Sequence, residues 1–179
     1  VSIDEQPHKA NLEKIPQLRP AFAENGTITP ANSSSISDGA SALLLASEQA
    51  VETHGLTARA RIVAHSRNSL APEAFTLAPI GAAEDVLAKA GWAVSDVDLW
   101  EINEAFAMVT MLTMDALKLD PSCVNVHGGA CAQGHPIGST GSRIIVTLMH
   151  ALEHYGKKRG VAALCIGGGE ATAVAIELV

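Results

Sequence analysis

With 179 residues, 47% of them hydrophobic and only 3% aromatic, the chain can bury one sizeable core, filled by Ala, Val, Ile and Leu in closely packed layers. A formal charge of −7 argues against general affinity for nucleic acid or an anionic membrane, and no apolar run approaches the length of a membrane-spanning helix. Three cysteines without paired spacing suggest a reducing compartment, and they form neither a zinc-finger pattern nor a disulfide framework.

The opening is polar and interrupted by Pro7, Pro16, Pro20 and Pro30, which exclude a long helix. The alanine- and leucine-rich residues 38–53 predict a helix that ends at Gly55, residues 60–64 a strand, and residues 79–90 a helix stopped by Gly91. Residues 97–102 read as the next strand, which delivers Asn103 to its C-terminal end, where ligand sites of α/β sheets gather. A helix over 104–119 follows, with Pro121 behind it; residues 122–126 have a short strand pattern. Residues 139–152 are helix-like and largely apolar. The apolar run 161–166 suits a buried strand, the glycines 167–169 a tight turn, and residues 171–177 a returning strand. The alternation predicts an α/β fold without internal repeats.

Two blocks place a reactive side chain among residues that free the backbone. In Gly134-His135-Pro136-Ile137-Gly138, proline forces His135 out of the α region and suits the first turn of the following helix. The N–H groups of that helix would favour negative charge developing beside the imidazole, which is useful for an oxyanion. Locally the same pattern also fits a Gly/Pro loop with an exposed histidine. In Cys165-Ile166-Gly167-Gly168-Gly169, a strand-end cysteine is either an inert small hydrophobe or, in an accessible electropositive site, a proton-transfer group. Asn103-Glu104 at a strand-to-helix junction reads as an N-cap with a first-turn acid.

These two blocks and Asn103-Glu104-Ala105-Phe106-Ala107, in this order, resemble the C-terminal half of the thiolases, the acetyl-CoA acetyltransferase and 3-ketoacyl-CoA thiolase family, over essentially the whole chain. The resemblance implies one half of the thiolase fold: a mixed five-stranded sheet covered by helices over residues 37–179, preceded in residues 1–36 by the tail of a loop domain that embraces CoA. It implies catalytic roles for four residues. His135 would help activate a nucleophilic cysteine and contribute to one oxyanion hole, in which Asn103 holds a water. Cys165 would exchange the proton on the substrate α-carbon, and the Gly167 N–H would serve a second oxyanion hole. Phe22 and Ser34 would contact the cofactor, while Ala105 and Phe106 would line the pantetheine region. Coenzyme A thioesters would be substrates, with no permanently bound cofactor, in a reversible Claisen condensation or thiolysis. The chain starts at Val1 without methionine, and its opening looks like the end of something. The acylated cysteine is expected in a missing N-terminal half, which leaves this chain alone inactive. The complete protein would be a homodimer or homotetramer in the cytoplasm, with the mitochondrion as the alternative.

Cys123 and Cys131 lack the surroundings of that nucleophile and read as structural thiols, although the nearness of Cys131 to His135 leaves a minor redox or catalytic role open. Where many thiolases carry an arginine for phosphate contact, Lys9 stands as a point charge without the bidentate fork. Glu170 replaces an uncharged residue and would either perturb Cys165 or face solvent, and His127 is given a packing or supporting role. A rival from other chemistry is His150-Ala151-Leu152-Glu153-His154, which fits the H-x-x-E-H pattern of zinc peptidases; near a helix end it also suits plain surface histidines, and no metal site is assigned. Ketoacyl synthases share the thiolase fold, but Pro136 and Cys165 favour thiolase chemistry. A non-catalytic structural or CoA-binding role is the remaining alternative.

Overall fold

Alternation along the strands decides which side of the sheet each helix covers. The computed structural model describes residues 2–4, 8 and 10–179; Lys9 lies outside the described residues. Four strands, β1 (Ala60–Ser69), β2 (Leu99–Ile102), β3 (Arg159–Ile166) and β4 (Glu170–Leu178), form a sheet in the order β1-β4-β3-β2. β2 and β3 are parallel, while β4 is antiparallel to both β3 and β1, so the sheet is mixed.

In β2, Trp100 and Ile102 point to one face and Leu99 to the other, as a two-residue period requires. The first face packs α2 (Ala78–Ala90) through Ala82, Ala83 and Val86, and α3 (Ala107–Leu117) through Val109. The second face packs α5 (Thr140–His154) through Ile144, Leu148 and Leu152. Helix and strand approach closely there, because Gly160 faces the Leu148 side chain, with which an added Cβ would overlap. The three layers bury the aliphatic core, at roughly 1.5–3 kcal/mol per large side chain.

The helix expected over residues 38–53 is confined to α1 (Glu48–His54); residues 38–47 carry neither helix nor strand. Leu44 and Leu45, 84% and 71% exposed, find no partner face, and a short helix in water is marginal without one. Ser41 is instead drawn to the start of α5 by hydroxyl contacts to Ser139 at 2.7 Å and Ser142 at 2.6 Å. The helix starts where Ser47 caps it, its Oγ accepting from the Ala50 N–H, and stops at Gly55 with φ 60°. β1 runs beyond the predicted residue 64 because β4 pairs with it as far as Ser69.

Of the expected five strands, four are present among the described residues. Residues 122–126 make a single parallel bridge, Trp100 to Val124, and the left-handed φ of 48° at Asn125 turns the chain away. The Asn125 side chain takes over the missing ladder: Oδ1 accepts from the Ile102 N–H at 2.8 Å and Nδ2 donates to the Ile102 carbonyl at 2.9 Å. A side-chain amide thus satisfies the outer edge of β2. The helix after β2 begins three residues later than expected, at Ala107, because the backbone at Ala105 and Phe106 is used otherwise. The Ala105 carbonyl accepts from the Ser34 N–H, and Phe106 bridges Ser33. One short helix, α4 (Ala130–Gln133), had not been predicted.

Candidate active site

The parallel pair β2 and β3 ends on one side, and the N-terminus of α5 packs against both strands. Asn103 directly follows β2, with its N–H donating to the Ala163 carbonyl at 2.9 Å. It is 1% exposed, and among the described residues neither its Oδ1 nor its Nδ2 has a partner. A buried carboxamide without partners is costly unless something polar is bound to it. Cys165 lies on β3, two residues beyond Ala163, and is 7% exposed; burial raises its pKa, so the resting group is a thiol. A protonated strand-end cysteine suits proton exchange better than it suits a resting nucleophile.

His135 precedes α5 and is tied at both ends. Its N–H donates to the Ser35 carbonyl at 2.9 Å, and its Nδ1 lies 2.7 Å from Thr140 Oγ1. The Thr140 hydroxyl donates its one proton to the Pro136 carbonyl at 3.0 Å, so Nδ1–H is the donor in the first contact and Nε2 carries the lone pair. Burial first, and the Arg143 guanidinium second, hold the imidazole pKa below its ordinary value. A neutral imidazole with a free Nε2 is a base at neutral pH and becomes a donor after taking a proton.

Beyond Cys165 the chain turns through Gly168 and Gly169, with φ of 100° and 96°. At Gly169 a Cβ would collide with the Leu70 carbonyl, which makes glycine obligatory twice over. Gly167 is exposed, with open space where a side chain would stand, so its backbone is approachable. A polar groove of about 370 Å³ runs beside the histidine loop, between residues 37–41 and 136–139.

The cofactor-contact residues expected from sequence meet in part. All three phenylalanines of the chain cluster: Phe22 and Phe106 stand edge to face at 5.8 Å, and Phe75 meets Phe106 at 6.2 Å. Ser34 donates its hydroxyl to the Ala105 carbonyl at 3.0 Å, which joins those two positions but commits the hydroxyl proton to the fold. Glu104 points away from any ligand role: it accepts from Asn125 Nδ2 and from the Cys131 N–H, both at 3.1 Å. Gly129 presses on that carboxylate, where a Cβ would collide with it.

The other thiols are unsuited to nucleophilic attack at rest. Burial and the neighbouring Glu104 push Cys131 up to about 11, and burial together with Asp120 raises Cys123, which is half-buried and donates to the Asp120 carbonyl. Glu170 is exposed at the start of β4, and the shift at Cys165 comes from burial. Of the H-x-x-E-H run, Glu153 is bound by Arg59 at 2.6 Å, while His154 packs edge to face on Tyr155, against which His127 also stacks. Sequence reasoning missed Thr140, Arg143, Glu101 and Phe75. The one legible signal was a lone glutamate inside the apolar run Leu99-Trp100-Glu101-Ile102.

Asn103 follows β2, Cys165 lies near the end of the neighbouring parallel strand β3, and His135 precedes α5, the helix packed on both strands; this is the layered α/β class of protein, in which polar groups sit where strands end. Comparison with known proteins narrows the class. Residues 56–178 match the model of the thiolase C-terminal domain, and residues 1–49 match that of the thiolase N-terminal domain. The chain belongs to the thiolase family. It is 48% identical to the cytosolic acetyl-CoA acetyltransferase of Mus musculus, over 99% of this chain and 45% of that protein. It is 49% identical to a probable acetyl-CoA acetyltransferase of Dictyostelium discoideum, over 97% of this chain and 42% of that protein. Among solved structures, the Bacillus anthracis acetyl-CoA acetyltransferase superposes with a TM-score of 0.90 at 42% identity, covering 93% of this chain and 42% of that one. A thiolase from Ascaris suum in complex with coenzyme A gives 0.89 at 40%, covering all of this chain and 47% of that one. The chain thus spans less than half the length of the curated relatives it matches.

Proposed function

We propose that this chain forms part of an acetyl-CoA C-acetyltransferase, which interconverts acetyl-CoA and acetoacetyl-CoA or cleaves longer 3-oxoacyl-CoA thioesters. The carrying observation is the unpartnered buried amide of Asn103 in a chain that also holds His135 through Nδ1, within a fold shared with the thiolases. In the proposed reaction His135 takes the proton of a nucleophilic thiol, which attacks the acyl-CoA carbonyl and expels CoA. Protonated His135 and a water held by Asn103 then stabilise the oxyanion. The Cys165 thiol passes its proton to the expelled CoA thiolate and, as the thiolate, removes the α-proton of a second acetyl-CoA; the carbanion attacks the acyl-enzyme, the first thiol leaves and regains its proton from His135, and the Gly167 N–H supports the second oxyanion.

No cysteine of this chain suits the first role, so the nucleophile is assigned to a companion N-terminal segment and the chain by itself is expected to be inactive. Residues 1–36 are assigned to the CoA-embracing loop region and 37–179 to the catalytic half, with Phe22, Ser34, Ala105 and Phe106 toward CoA. The complete protein is proposed to be a cytoplasmic homodimer or homotetramer, in keeping with relatives described as cytosolic.

Rapid-quench mass spectrometry on the complete protein tests the roles. Cys165→Ala is expected to acylate the other cysteine while condensation and thiolysis collapse; His135→Ala is expected to slow acylation itself by about 10² or more. Prompt acylation of the His135 variant, or none of the Cys165 variant, would show the roles to be misassigned. No acyl transfer by the unsubstituted complete protein would favour a CoA-binding or structural role instead.

A further inference from the structure

One charged pair in the buried layer is not used by the proposed chemistry. Glu101 is 2% exposed in the middle of β2, on the face that α5 covers. Its Oε2 lies 3.6 Å from Nη1 of Arg143, whose side chain is 17% exposed, and its Oε1 has no partner among the described residues. Arg143 also reaches Thr147 Oγ1 at 3.4 Å and stands on α5 one turn beyond Thr140, the residue that holds His135. Glu101, in turn, stands on the strand that Asn103 directly follows. The pair therefore links the element that carries the amide to the element that orients the imidazole.

Stability explains the pair poorly. Desolvating two charges costs about as much as their attraction returns, and an apolar pair of similar volume commonly serves the fold as well or better. A long, incompletely satisfied contact makes that balance worse. We propose that Glu101 and Arg143 are positioning residues, a buried strut that holds the Asn103 amide and the His135 imidazole in mutual register for acyl transfer. This rests on the thiolase reading of the site, although the link between the two elements does not. Glu101 is faced by Arg143 from α5 and by Glu104 from the turn beyond β2, and His135 is faced by Arg143. The guanidinium thus reads the state of the strand and acts on the imidazole.

The test is a double-mutant cycle read at His135 by ¹⁵N NMR titration of this chain, with Arg143→Met, Glu101→Gln and both together. Arg143→Met removes a nearby cation and is expected to raise the His135 pKa. In the Glu101→Gln background the rise is expected to differ, because the guanidinium has lost its anchor. No rise, or the same rise in both backgrounds, overturns the proposal. If Arg143→Met does not fold, Arg143→Gln takes its place in the cycle. In the complete enzyme Arg143→Met is expected to lower kcat about tenfold with little change in KM, and Arg143→Lys to recover part of the loss. Coupled titrations without acyl-CoA turnover in the unsubstituted complete protein would leave the strut standing and sink the functional reading. Turnover with uncoupled titrations would do the reverse.

Discussion

The neighbouring parallel strands β2 and β3 end at the same rim and are built in opposite ways. β3 is apolar over Val161, Ala162 and Ala163, is paired on both edges, and presents its reactive atom only at Cys165. β2 is four residues long, borrows its outer pairing from the Asn125 side chain, and buries Glu101, and Asn103 just beyond its end, with polar atoms unpartnered among the described residues. The same sheet thus contains a strand that contributes stability and one that gives some of it up to aim polar groups into the site, as functional positions commonly do.

Truncation beside β3 is expected to have the largest effect. Leu148→Ala, at a fully buried position against Gly160, is expected to lower unfolding free energy by about 2–5 kcal/mol in urea denaturation. A loss as small as that of a surface substitution would erase the contrast between the two strands.

On β2 the effect depends on pH. Burial raises Glu101 from 4.5 to about 7, outweighing the opposing attraction of Arg143. Between those values the folded chain binds a proton that the unfolded chain has released, so stability falls as pH rises through this window, by up to about 3 kcal/mol from this group. His135 works the other way: its depressed pKa gives stability that is present above the ordinary histidine range and lost as pH falls through it. Glu101→Gln is expected to flatten the decline between about pH 4.5 and 7 in thermal melts; an unchanged slope would place the carboxylate in a wetter setting.

The smallest effect is expected at Asn103. Asn103→Leu removes two orphaned polar atoms at nearly constant shape and is expected to leave stability unchanged or raise it by about 1 kcal/mol, while abolishing turnover in the complete protein. A large destabilisation would mean that the amide is a structural partner rather than a poised one.

Much of this division could be read before any coordinates. The apolar run through Cys165, the glycines behind it and the proline after His135 have local consequences, because φ restrictions and continuous burial act over a few residues. The motif residues Asn103, His135, Cys165 and Gly167 were named from the resemblance of their blocks to the thiolases, which local pattern alone would not have singled out. Tertiary structure decided what depends on distant partners. Residues 38–47 have helical composition but no face to cover, so their leucines stay exposed. Residues 122–126 have strand composition, yet Asn125 turns left-handed and pairs through its side chain, which leaves four strands. Arg143 becomes the partner of Glu101 only when α5 lies across β2 and β3, whereas Thr140 meets His135 within five residues of chain. Burial, which sets the proton affinities of Glu101, His135 and Cys165, belongs to the packed layers and to no single stretch of chain.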